Sequence, residues 1–252
     1  MAGKTRLFGM EIDSLRLTEA VQQVLQWAQS GERVCRYVVT PNVDHAVMFH
    51  ENATLRDAYR DASLVLADGA PVIWAARLLR RTLPQRVPGS DLTPAVFAAA
   101  QQNRPLKVFL LGAAPGVAQR AAERIEVQWP AVEVVGTYSP PLGFERSDAE
   151  NVTIVARINA VSPDLLVLGL GAPKQELWIQ RFAPQLNVSV ALCVGATIDF
   201  LAGEKARAPK LLQRLGLEWL HRVATEPRRL FKRYARDAWI FPQLVWREWR
   251  AG

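Results

Sequence analysis

The amino-acid sequence predicts an α/β fold built on a mostly parallel sheet with a basic C-terminal appendage, and three features carry that expectation. Short apolar runs rich in β-branched residues alternate with longer stretches of helical period. Several of these runs end in glycine or a small polar residue just before a helix start. Basic residues collect beyond residue 204, behind a body that is close to neutral.

Taken in order, a helical pattern over 18–30 precedes the first strand-like run, YVVT (37–40). The stretch VDHAVMFH then reads as a helix entering the core, and a helical pattern continues over 51–62. SLVLAD (63–68) is followed by helical stretches at 69–80 and 91–103. KVFLLGA (107–113) leads to a helix at 115–128, and VEVVGTY (132–138) to one at 147–161. DLLVLGLG (164–171) leads to a helix at 173–183, and VALCVGA (190–196) closes the series. A helix between successive strands returns the chain to the same sheet edge, so the strands pair in parallel, and near-continuous apolar strands require cover on both faces. The expected architecture is a Rossmann-like body over 1–203 and a C-terminal helical basic appendage over 204–252. Cys35 and Cys193 lie far apart in apolar runs without paired spacing, as buried strand residues do.

Composition excludes several classes. With 252 residues, half of them hydrophobic, the chain can bury one substantial core and should fold as a soluble domain. No GxxxxGK[ST] loop occurs, nor a GxGxxG followed by an acid about 20 residues on, which disfavours P-loop NTPases and ordinary dehydrogenases. The N-terminal MAGKTRLFGMEIDSL is too interrupted by charge for a secretory signal, and no apolar window reaches the roughly 18 residues of a spanning helix. The expected location is therefore cytoplasmic, with any membrane contact peripheral. From Lys205 onward twelve basic residues face four acids, which calls for an anionic partner. Trp219, Trp239, Trp246 and Trp249 accompany those cations, and rings with arginines suit the interfacial layer of an anionic bilayer at the inner face of the cell membrane. The same tail admits two other classes, a nucleic-acid-binding module and a non-catalytic nucleotide-sensing protein.

Candidate site residues fall at the strand ends. FLLGAAPG and VLGLGAPKQE put Gly112 and Gly171 where backbone can approach a phosphate, beside helix N-termini that attract anions. A nucleotide is the natural guest. No Asp-x-Asp follows a strand, so no carboxylate pair is expected to hold a metal on a donor diphosphate, and helix ends or arginines must neutralise it. Lys174 and Gln175 follow Pro173 at a helix start, and Arg86 lies in the loop RVPGSDL; all three can donate to a phosphate. Asp68 follows the apolar run SLVLA and precedes Gly69, where it can act as a general base or cap the helix from Ala70. Thr40 and Asn42 end their strand in TPN and can hydrogen-bond a ligand or simply close a turn. His45 is a rival base. Arg222, Arg229 and Lys232 recur three to seven residues apart, so a helix turning near Pro227 could aim them at one diphosphate.

The chain resembles the WecG/TagA/CpsF glycosyltransferase family over nearly its whole length. The matching stretches, in the family's order, are TPNVDH (40–45), LADGAPVIWAARLL (66–79), RVPGSDL (86–92), FLLGAAPGVA (109–118), LGLGAPKQELWI (168–179), VGATIDFLAGEKARAP (194–209) and GLEWLHRVATEPRRLFKRY (216–234). The resemblance implies an inverting, metal-independent hexosyltransferase using a UDP-sugar, of N-acetylmannosamine or glucose type, and a polyprenyl-diphosphate-linked sugar acceptor in cell-wall or surface-polysaccharide synthesis. It implies Asp68 as base, Thr40, Asn42 and Gln175 in the active site, Asp199 toward uridine, and the tail over the lipid diphosphate. It implies no cofactor, and its sugar-transferase body argues against nucleic acid. Two departures are visible: Gly195-Ala196 stands where the family often has Gly-Gly, and Arg80-Arg81 where a glycine is common. Whether the chain forms a homo-oligomer is left open.

Overall fold

The computed structural model describes residues 3–101, 104–214 and 216–251, and at 214, 229 and 251 the backbone alone. The chain opens with an antiparallel hairpin that the strand-helix alternation did not foretell. β1 (Lys4–Leu7) and β2 (Met10–Asp13) are joined by Phe8 and Gly9, both at positive φ (51° and 78°). Then follow α1 (Leu17–Gln29), β3 (Arg36–Val39), α2 (Val43–Glu51), α3 (Ala53–Arg60) and β4 (Leu64–Val65). After α4 (Ala70–Leu78) and α5 (Gly89–Ala98) come β5 (Leu106–Gly112), α6 (Val117–Gln128), β6 (Val132–Tyr138) and α7 (Asp148–Val161). β7 (Leu165–Gly169), α8 (Lys174–Phe182), β8 (Val190–Cys193) and α9 (Thr197–Ala202) complete the body. The appendage begins with an irregular stretch over 204–209 and then carries three helices, α10 (Lys210–Arg214), α11 (Glu218–Thr225) and α12 (Pro227–Ala251).

β3 to β8 form a six-stranded sheet in the order β4-β3-β8-β7-β5-β6, with every pairing parallel. The α/β, Rossmann-like expectation therefore holds. The apolar strands feed two cores at the period of the pleat. Val38, Leu110, Val167 and Leu192 pack with residues of α1, α5, α6 and α9, whereas Val39, Leu111, Leu168 and Cys193 pack with those of α2, α3, α7 and α8. Cys193 is buried in its strand as expected, while Cys35 is half-buried just ahead of β3. β4 is shorter than the run SLVLAD suggested, since it is an edge strand and pairs with β3 alone. The chain nevertheless keeps step with β3 beyond β4, as Leu66 N–H donates to Val39 and Asp68 N–H to the Pro41 carbonyl at 2.8 Å. Asp68 thus ends up at the carboxyl edge of the sheet.

One glycine at that edge has no alternative. Gly112 holds φ at 120°, and a β-carbon there would lie 2.5 Å from the Gly169 carbonyl carbon, so the ends of β5 and β7 can meet only without a side chain.

α12 packs along α2 and the hairpin. Its Leu230 and Leu244 are buried, Leu244 within the same core as α2, and Phe241 meets Phe8 edge-on with ring centroids 5.1 Å apart. Arg233 pairs with Asp44 at 3.5 Å, and Arg236–Glu51 and Arg81–Glu248 add two more ion pairs between helix and body. The opposite face carries exposed Phe231, Trp239, Trp246 and Trp249 beside exposed Arg228, Lys232, Arg247 and Arg250. Among the described residues no helix is long and apolar enough to cross a membrane.

Candidate active site

A cavity of about 270 Å³ opens between the carboxyl edge of the sheet and the appendage. The body contributes Asn42, Asp44, Asp68 and Arg86, and the appendage Glu218, Arg222, Arg233 and Asp237. Its apolar wall includes Trp219, Tyr234 and Phe241, with the Trp219 and Tyr234 rings 6.3 Å apart.

Asp68 lies between the end of β4 and the start of α4. Gly69, at φ 89°, is the N-cap of α4, and no side chain caps that helix, so the Asp68 carboxylate is not spent on capping. Burial pushes its carboxyl up to about 6, with Arg222, His45 and Arg86 pulling it down and Glu218 reinforcing the rise. A carboxylate that is ionised near neutral pH yet retains proton affinity has the property a general base needs.

His45, the rival base, is committed elsewhere. Its Nδ1 lies 2.9 Å from Asn42 Oδ1 and its Nε2 lies 3.3 Å from Glu176 Oε1. Burial would depress this imidazole, but the Glu176 carboxylate outweighs it and raises the pKa. Both ring nitrogens are therefore occupied and the proton is held. Asn42 caps α2, accepting from His45 N–H at 3.3 Å, and also faces the cavity.

Gln175 and Thr40 are turned into the sheet. Gln175 Nε2 donates to Glu176 Oε1 at 2.8 Å and its Oε1 accepts from Gly195 N–H at 3.2 Å, tying the end of β7 to that of β8. Thr40 is buried and its hydroxyl donates to the Cys193 carbonyl at 3.3 Å. Neither is among the residues lining the cavity. Behind Asn42, a buried chain of His45, Glu176 and Gln175 thus joins three strand ends. Glu176 is not among the candidates the sequence offers; its place directly after Gln175 is the available signal.

The remaining candidates spread along the sheet edge. α8 starts at Lys174 rather than at Pro173, which is its N-cap, and Lys174 pairs with Glu145 at 3.2 Å. Gly171 has φ 79° with open space where a side chain would sit, and Asp199 lies in the first turn of α9, 3.5 Å from Lys205. Arg86 donates to Glu218 at 2.9 Å and to the Gln213 carbonyl at 3.3 Å. Glu218 also holds Arg207, which reaches Asp91 at 2.6 Å. Glu218 therefore staples α11 to the loop before α5. Of the tail residues singled out, Arg222 lines the cavity and lies over the Phe200 ring at 5.4 Å, whereas Lys232 is exposed on the outer face and the Arg229 side chain lies outside the described residues. Arg233 and Asp237, from the same helix, face the cavity instead. Among the described residues no group of three His, Cys, Asp or Glu side chains is arranged to hold a metal ion.

A parallel sheet with a carboxylate not used for helix capping and guanidinium groups over its carboxyl edge has the layout of an α/β enzyme site. The model of the "Glycosyl transferase WecG/TagA/CpsF family" matches residues 5–252, and the chain belongs to that family of glycosyltransferases. It is similar to the N-acetylglucosaminyldiphosphoundecaprenol N-acetyl-β-D-mannosaminyltransferases of Staphylococcus aureus strains NCTC 8325 and COL. Each is 28% identical over 227 residues, covering 90% of this chain and 87% of the relative.

Proposed function

We propose that this enzyme transfers a hexose, of N-acetylmannosamine or glucose type, from UDP to a sugar carried on polyprenyl diphosphate, in one inverting displacement at the membrane surface. The observation that carries the reading is Asp68, a carboxylate with raised proton affinity in a cavity shared by body and appendage. The acceptor hydroxyl attacks the anomeric carbon from the face opposite UDP, its proton passes to Asp68, and the bond to UDP breaks with the electron pair leaving on the diphosphate. Arg222 and the positive end of the α8 dipole would offset the charge on departing UDP, the role a metal fills in other transferases. The curated relatives act, by their names, on an N-acetylglucosaminyl-diphospholipid, which supports an acceptor of that class. The outer face of α12, with its rings and cations, supports peripheral docking on an anionic bilayer at the cytoplasmic side.

The test is incubation with a panel of UDP-sugars and short-chain polyprenyl-diphosphate-linked acceptors, followed by product mass and anomeric configuration. A retained configuration would overturn the single displacement. Asp68→Asn should abolish transfer while sparing UDP binding, and near-normal turnover in that variant would remove Asp68 from the role.

A further inference from the structure

On the inward face of α12, Asp237 is almost wholly buried, yet its Oδ1 has no hydrogen-bond partner among the described residues. One turn before it, Arg233 Nε is likewise buried and unpartnered, while the same guanidinium reaches Asp44 through Nη1. Both side chains line the cavity that holds Asp68. Unsatisfied buried polar atoms are costly and rare, and an acceptor and a donor left open one turn apart on one helix call for a ligand offering both.

The local charge says which kind of ligand. Asp44, Asp68, Glu218 and Asp237 line the cavity against Arg86, Arg222 and Arg233, and two of those arginines already sit on carboxylates, Arg86 on Glu218 and Arg233 on Asp44. The Asp237 end therefore repels phosphate and favours uncharged hydroxyl or amide groups. Tyr234 and Phe241, on the same helix face, and Trp219 across from Tyr234 supply flat apolar surface for the C–H face of a ring.

We propose that the Asp237 end of the cavity is a saccharide subsite, in which Asp237 accepts a hydrogen bond from a hydroxyl of the acceptor sugar and Arg233 Nε–H donates to a neighbouring oxygen. The appendage thus reads the acceptor sugar itself, in addition to any service it gives the diphosphate. This rests on the acceptor class proposed above.

The probe is a short-chain prenyl-diphospho-N-acetylglucosamine with its set of monodeoxy analogues, titrated calorimetrically into the full chain and also assayed for turnover. Asp237→Asn should weaken acceptor binding roughly tenfold to a hundredfold, as losing a charge-assisted hydrogen bond does, with UDP binding and binding to phosphatidylglycerol vesicles unchanged. Wild type should lose a similar factor on one monodeoxy analogue, and Asp237→Asn, whose amide oxygen still accepts more weakly, should lose less on that analogue than wild type does. Arg233→Lys, which keeps the charge toward Asp44 but removes Nε–H, should also weaken the acceptor and provides a second reading if Asp237→Asn melts early. Unchanged acceptor binding in both variants, or an equal loss across every analogue, would overturn the subsite. Binding that depends on Asp237 without any sugar transfer would instead overturn the functional reading and keep the subsite.

Discussion

If Asp68 is the base, its surroundings must appear in the pH dependence of the reaction. Burial pushes its carboxyl up to about 6 against the pull of Arg222, His45 and Arg86. Only the ionised form can take the acceptor proton, so kcat/KM should rise with pH through that value and level off above it. With a pKa of about 6, about ten molecules in eleven are ionised at pH 7 and about one in eleven at pH 5, a fall of about tenfold. An aspartate at the usual value of about 3.9 would lose only about a tenth of its ionised fraction over that range. Arg222 is the largest influence lowering the pKa, so Arg222→Gln should move the acid limb to higher pH. Glu218→Gln should move it lower, both by removing a like charge and by freeing Arg86. The assay is initial transfer to a short-chain acceptor at subsaturating substrate from about pH 5 to about pH 8, the regime that reports groups on the free enzyme. A profile flat down to about pH 5, or an Arg222→Gln limb that stays in place, would refute Asp68 as the titrating base.

Three further outcomes are expected. Glu176→Ala should destabilise the fold by about 3–5 kcal/mol, because it leaves the His45 imidazolium buried without its carboxylate. The raised His45 pKa makes the pair's contribution complete below the ordinary imidazole range and lost as pH rises through the folded value, so the deficit seen by urea denaturation should shrink toward alkaline pH. Replacing Trp239, Trp246 and Trp249 by alanine should weaken binding to anionic vesicles by about tenfold or more while leaving transfer to a short-chain acceptor intact, since all three rings are exposed away from the cavity. Activity should survive exhaustive chelation, and loss restored by a divalent ion would refute metal independence.

The N-terminal hairpin and the fate of the tail show where local pattern runs short. The hairpin's signal was present in Phe8-Gly9 between two short alternating stretches, but four-residue strands carry too few periods to stand out from a charged leader. Its importance is tertiary, because Phe8 receives Phe241 of α12 and so helps dock a helix more than two hundred residues away. Thr40 and Gln175 were legible as strand-end residues, yet their side chains are consumed by the Cys193 carbonyl and by Glu176 with Gly195.

Periodicity and composition are enough to specify the architecture. Apolar runs separated by helices dictate a parallel sheet with two covered faces, the SLVLAD run puts Asp68 at its carboxyl edge, and the charge imbalance beyond residue 204 marks off a cationic tail. Only the tertiary structure decided which polar groups meet. Asp44, Asp68, Glu218 and Asp237 come from four separate segments of the chain, and nothing in their neighbours announces that they share one cavity. The physical reason is that backbone direction and face are set by short-range sterics and hydrophobic period, whereas partner choice among buried polar groups is settled by long-range packing, which commits His45 to Glu176 and leaves Asp68 and Asp237 facing the space between body and tail.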